Sequence, residues 1–121
     1  MMETLCKIRD ILRSIIEFEA KFQQKFGLCL NEGMLLCTLQ SGKLSSKELA
    51  GTLGLTYSNT SKVIKSVERK GLIKRILGKS DRRMMYFSLT AKGNEILASI
   101  QDNPIETPEQ LREIATTNLK F

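Results

Sequence analysis

The chain is predicted to be mainly α with a small β-hairpin wing: a winged helix-turn-helix flanked by N- and C-terminal helices. Two short helix signatures meet at a tight glycine turn. Directly after Gly71 the apolar period changes from helical to alternating. The excess positive charge is confined to the middle of the chain, with twelve Lys/Arg against four Asp/Glu over residues 41–100, five against five before it and two against four after it.

Size and composition narrow the classes first. At 121 residues, 41% of them hydrophobic, the chain suits one domain spanning 1–121 with a core of its own. The start, Met1 to Lys7, has no apolar run beside its charges, and apolar stretches elsewhere are a few residues long. This predicts a soluble, cytoplasmic protein with no membrane partner. Cys6, Cys29 and Cys37 lack CxxC spacing, and histidine is absent. Neither a metal site nor a cofactor site is called for, and no nucleophile, base and oxyanion set points to an enzyme.

From Glu3 to Phe26 there is no Pro or Gly. Two overlapping stripes, one through Ile8, Ile11, Ile15, Phe18 and Phe22, the other through Leu5, Ile8, Leu12, Ile15, Phe22 and Phe26, span an arc of about 160° at 100° per residue. Such an arc is wider than one packing surface needs. It predicts a helix packed on its own chain on one side and on a second copy on the other, with Leu5, Ile8, Leu12, Ile15 and Phe22 at the dimer seam. On this reading Phe22→Asp yields monomers or insoluble chain. Gly27 supplies the stop.

Asn31 is the expected N-cap of a second helix bearing Met34, Leu35, Cys37 and Leu39, ending near Ser41-Gly42. Ser45 and Glu48 have capping-box spacing, so a third helix starts at about Ser46 and carries Leu49, Ala50 and Leu53 inward. Gly54 breaks it, and Thr56 or Ser58 caps a fourth helix that runs to Lys70 with Val63, Ile64 and Val67 as its inner face. Strands follow over Leu72–Leu77 and around Met85–Leu89, joined by turn residues Gly78-Lys79-Ser80-Asp81, giving a wing over 72–89. Thr90 caps a fifth helix, and a last one is expected from about Pro108 to Asn118. Residues 31–93 form the expected binding core, and 1–30 with 94–121 the dimerisation helices.

The outward side of the fourth helix is short, polar and basic. Asn pairs bidentately with adenine, Lys donates to guanine, and hydroxyls take either role, so Ser58, Asn59, Ser61 and Lys62 suit base reading in a major groove. Asn59 and Ser61 have an alternative use as local support for the helix start. Lys65, Arg69 and Lys70 lie further along, where phosphate contact is expected. Lys79, Arg82 and Arg83 sit on a tip that reaches a minor groove.

At these residues the chain resembles the MarR family of winged-helix regulators. The resemblance covers about Glu32 to Gly93 and is carried by Glu48-Leu49-Ala50, Ser61-Lys62, Gly71-Leu72-Ile73-Lys74-Arg75, Asp81-Arg82-Arg83 and Leu89-Thr90-Ala91-Lys92-Gly93. It implies a homodimer, double-stranded DNA as partner, a recognition helix in each major groove and wing arginines near minor grooves. It also implies a wing aspartate that orients an arginine, so that Asp81 serves Arg83 or, from the other side, Arg75. The segment after Gly93 is shorter than usual in the family, and the usual proline-containing wing turn is replaced by Leu77-Gly78-Lys79-Ser80.

Some family members sense oxidants through a cysteine near the first helix. Cys6, beside Lys7 and Arg9, is the candidate redox thiol here, against the commoner role of a buried small hydrophobe. Cys29 and Cys37 read as packing residues, and Tyr57 either touches a phosphate or packs. The function expected is a sequence-specific transcription regulator, a repressor on a near-palindromic operator. A small-molecule effector stays open and unidentified. The competing reading is an interaction module whose basic face binds an acidic protein or RNA.

Overall fold

The computed structural model describes residues 1–81 and 83–116. In chain order its elements are α1 (Met2–Phe26), α2 (Leu30–Thr38) with a 3-10 turn at Leu39–Ser41, β1 (Leu44–Ser45), α3 (Ser46–Leu53), α4 (Tyr57–Arg69), β2 (Ile73–Leu77), β3 (Met85–Leu89), α5 (Ala91–Asp102) and α6 (Glu109–Thr116). They form two compact units, one of residues 1–29 with the described residues from 104 onward, the other of residues 30–103. Residues 94–103, expected among the dimerisation helices, group with the winged-helix unit, because α5 packs on α2 and β3.

In the terminal unit α1 runs uninterrupted and stops at Gly27, whose φ of 70° is the left-handed cap geometry that favours glycine. Its apolar arc divides in two. Ile11, Phe18 and Phe26 are half-buried, while Leu5, Ile8, Leu12, Ile15 and Ile16 are exposed in the single chain. Phe22 leaves the expected seam: it is 6% exposed, stacked on Phe18 and tilted against Phe26. Its place on α1 turns it toward its own chain, making it a core residue. α6 packs along α1, and buried Ser14 donates from Oγ to Gln110 Oε1 at 3.1 Å. The expected continuation of α6 to Asn118 lies outside the described residues.

The winged-helix unit is built around Leu35, Leu36, Leu39, Leu49, Ala50, Ile64, Val67, Leu72, Ile73 and Phe87, all buried. α2 begins at Leu30, so Asn31 is inside the helix and not its cap. α3 starts as expected, with Ser45 Oγ accepting from the Glu48 amide and the Glu48 carboxylate accepting from the Ser45 amide. Of the two candidate caps for α4, Thr56 is used, its Oγ1 accepting from the Asn59 amide at 3.1 Å.

The sheet has three antiparallel strands in the order β1-β3-β2. β1, a strand not expected from the sequence, pairs Leu44 with Phe87 and Ser45 with Tyr86. It is two residues long and passes directly into the α3 cap, too short to show an alternation. β2 and β3 pair from Ile73–Leu89 out to Leu77–Met85, which projects the hairpin tip away from the core.

The packing at the start of α5 explains the glycine that closes Leu89-Thr90-Ala91-Lys92-Gly93. Thr90 Oγ1 caps α5 by accepting from the Gly93 amide and donates to the Gly71 carbonyl, while the Thr90 amide donates to the Leu72 carbonyl. These bonds draw the start of α5 so close that a Cβ on residue 93 would collide with the Leu72 carbonyl oxygen. Only glycine lets the helix sit there.

Candidate nucleic-acid interface

α4 divides cleanly around its axis. Thr60, Ile64 and Val67 are buried. Val63, expected on the inner face, is only half-buried, and Thr60 takes its place. Thr60 is tolerated there because its hydroxyl donates to the Thr56 carbonyl at 2.7 Å. Ser58, Asn59, Ser61, Lys62, Lys65 and Arg69 are all exposed. Among the described residues their side chains make no hydrogen bond or ion pair, leaving their donors and acceptors available to a ligand. Asn59 contributes only its backbone amide to the helix cap. Tyr57, at the same helix start, is exposed.

Both flanks of α4 are tied down, in ways the sequence reading missed. Glu32 of α2 is buried, and its carboxylate accepts from Ser66 Oγ at 2.7 Å and from Lys70 Nζ at 2.8 and 3.0 Å. Lys70 is therefore an internal partner and not the free phosphate contact expected. A charge within the apolar pattern of α2, three residues before Leu35 and so on the same face, was the available signal for Glu32.

On the other flank Arg75 of β2 donates to Glu68 through Nε at 2.6 Å and Nη2 at 3.0 Å, and its guanidinium lies 5.6 Å from the Phe87 ring centroid. The hydrogen bonds from Arg75 hold the Glu68 carboxyl below the usual carboxylate range, and Glu68 in turn raises the Arg75 guanidinium. Arg75 thus supports the wing through Glu68 and not through Asp81. This corrects one of the two partners expected for Asp81. The other is found: Asp81 Oδ1 accepts from the Arg83 amide at 3.0 Å and from Arg83 Nε at 3.4 Å.

The wing tip is closed by the Gly78 amide donating to the Met84 carbonyl and the Met84 amide to the Asp81 carbonyl. Lys79 and Arg83 project from it, Arg83 with 94% of its side chain exposed. Arg82 lies outside the described residues. Between α4 and the sheet a cleft of about 200 Å³ is lined by Ser46, Ser61, Lys65, Arg75, Met85 and Phe87, with Ile64. The outer face of α4, this cleft and the wing thus present cations and hydroxyls, the groups that suit a polyanion.

Among the described residues no group of His, Cys, Asp or Glu is arranged to hold a metal ion. Nor, among those residues, is any helix long and apolar enough to cross a membrane. Cys6 is exposed, not the buried small hydrophobe that is its commoner alternative, and Cys37, expected to pack, is exposed too, with Sγ 3.8 Å from Gln40 Oε1. Cys29 is half-buried.

Residues 31–93, just over half of the chain, match a family model described as a winged helix DNA-binding domain. Transcriptional repressor MprA of Escherichia coli (strain K12) is 33% identical over 70 residues, which make up 55% of this chain and 40% of the repressor. The match therefore spans well under half of that relative. The crystal structure of AbsC, a MarR family transcriptional regulator from Streptomyces coelicolor, is 25% identical and covers 91% of this chain and 85% of its own, with a TM-score of 0.71. The S. aureus MepR–DNA complex, 24% identical over 78% of this chain and 72% of its own, shares the fold with a TM-score of 0.69. MprA is named a transcriptional repressor and AbsC a transcriptional regulator. The chain belongs to the winged helix DNA-binding domain family and is of the MarR type.

Proposed function

We propose that this protein is a homodimeric, sequence-specific transcription regulator that represses by occupying a near-palindromic operator in the cytoplasm. The observation that carries the reading is the division of α4: Thr60, Ile64 and Val67 anchor it, and its exposed side is a run of hydroxyl, amide and cationic groups with no partner of their own among the described residues. In this reading α4 enters the major groove. Ser58, Asn59, Ser61 and Lys62 meet base edges, while Lys65 and Arg69 meet phosphates. Lys79 and Arg83, with Arg82, reach the adjacent minor groove, and Asp81 orients Arg83. Complexes with DNA are known for the similar MepR fold, which supports duplex DNA as the partner.

Dimerisation through the terminal helices, α1 with α6, would set two copies of α4 about 34 Å apart, one turn of B-DNA. The exposed row Leu5, Ile8, Leu12 and Ile15 supports a second copy as its cover, without Phe22. A small-molecule effector, or oxidation of exposed Cys6, would act by changing that spacing.

Titrating the protein into duplex DNA at rising salt tests the reading. A dimer making about 6–10 phosphate contacts loses roughly 10³–10⁵ in affinity between 50 and 200 mM salt. Selection from random duplexes should return sites with two-fold symmetry. No duplex binding at low salt would defeat it.

A further inference from the structure

The carboxylate of Glu32 clasps α2 to the Ser66 and Lys70 side chains. At about 100° per residue, Ser66 and Lys70 share one flank of α4, and Glu68 lies on the opposite flank with the buried face between them. Burial of Thr60, Ile64 and Val67 fixes how deep α4 sits. It resists rolling only weakly, because apolar contact is non-directional. Hydrogen bonds are directional, and on the α2 side they converge on one carboxylate, that of Glu32, which is 5% exposed.

We infer that Glu32 is a positioning residue for sequence discrimination: by holding Ser66 and Lys70 it fixes the roll of α4 about its own axis, and so decides which base edges the outer side chains meet. This rests on the proposed DNA reading.

Geometry sets the scale. A roll of about 20° carries atoms at the outer helix radius of about 5–6 Å by about 2 Å, enough to break a hydrogen bond to a base edge. Phosphate contacts from long, flexible lysines absorb the same shift, because they depend on charge more than on angle. Loosening the clasp should therefore cost discrimination and spare general DNA affinity. A residue that only kept the chain folded would act differently, changing the folded fraction and with it both affinities in proportion.

The test uses the full chain, a duplex obtained by selection from random sequences and a scrambled duplex of the same composition. Glu32→Gln keeps the size of the side chain and one acceptor oxygen but removes the charge that holds Lys70. Its ratio of scrambled to selected Kd should fall by about fivefold or more, with scrambled-duplex affinity and salt slope unchanged. Ser66→Ala, which removes one hydrogen bond, should lower the same ratio by about threefold and decides the matter if Glu32→Gln does not fold. An unchanged ratio, or both affinities falling together, overturns the inference and leaves DNA binding standing. A wild-type chain that does not distinguish the two duplexes defeats sequence-specific reading and this inference with it.

Discussion

Arg75 and Glu68 form a two-pronged ion pair, Nε to Oε2 at 2.6 Å and Nη2 to Oε1 at 3.0 Å, across the turn where α4 gives way to the first strand of the wing. Both ends are rigid elements, so the pair ties the angle of the hairpin to that of the helix. Its geometry is the fork-to-carboxylate form in which charge-assisted hydrogen bonds are strongest. Partial exposure keeps its net worth at about 0.5–1 kcal/mol.

Glu68→Gln is expected to lower the melting temperature by about 2–5 °C at pH 7. The pH dependence has a definite sign. Because the folded Glu68 carboxyl lies below its ordinary value, its contribution is full above the unfolded glutamate pKa of about 4.3 and is lost as pH falls through the lower folded value. Melting curves from pH 7 down to pH 3 should show wild type and variant converging in acid. A gap that stays constant would remove the pair from the stability account.

Arg83→Ala should weaken duplex binding about tenfold while leaving the melting transition unchanged, because its side chain is almost wholly exposed and, among the described residues, leans only on Asp81. Fluorescence anisotropy with thermal melting checks both halves. An unaltered Kd would strip the wing of its role.

Leu12→Asp and Phe22→Asp should part company. Leu12 is 55% exposed in the single chain. An aspartate there spares the fold but removes about 2 kcal/mol of burial from each copy, so the dimer dissociation constant should rise about a thousandfold. Phe22 is core, and its replacement should cost about 3–5 kcal/mol and unfold much of the chain. Light scattering and circular dichroism separate the two outcomes. A soluble, fully dimeric Leu12→Asp would dismiss the α1 interface.

Gly93→Ala adds a single methyl group, yet it should cost about 1–3 kcal/mol and about 4–12 °C in melting temperature, since the Leu72 carbonyl occupies the needed space. Differential scanning calorimetry reads this directly, and a neutral result would mean that α5 shifts without penalty.

What was legible in the sequence follows from the range of each interaction. Ser45 with Glu48, Thr90 with Gly93 and Gly27 act within three or four residues of themselves, so spacing alone revealed the caps of α3 and α5 and the end of α1. The buried side of α4 was read from its period except at Thr60 and Val63, where a hydroxyl satisfied by Thr56 replaced an aliphatic side chain. Asp81 with Arg83, two residues apart, was legible, but partners of charged residues on different elements were not, because they depend on register between elements. Arg75 is one of the two partners that the family resemblance implies for Asp81, but it faces Glu68. Lys70 was given to DNA but turns to a carboxylate 38 residues earlier. Phe22 belonged to both stripes of α1, and only packing could decide which face it joined.

The division of α4 also bears on how such a protein acquires a new address on the genome. Anchoring lies on Thr60, Ile64 and Val67, which are buried, with Glu68 and the Glu32 clasp on either flank, whereas the side chains of Ser58, Asn59, Ser61 and Lys62 are exposed and bear none of those contacts. On the proposed DNA reading, exchanging those four letters would rewrite the message without disturbing the machine that delivers it, so altered target preference would be reachable one substitution at a time through folded, working intermediates.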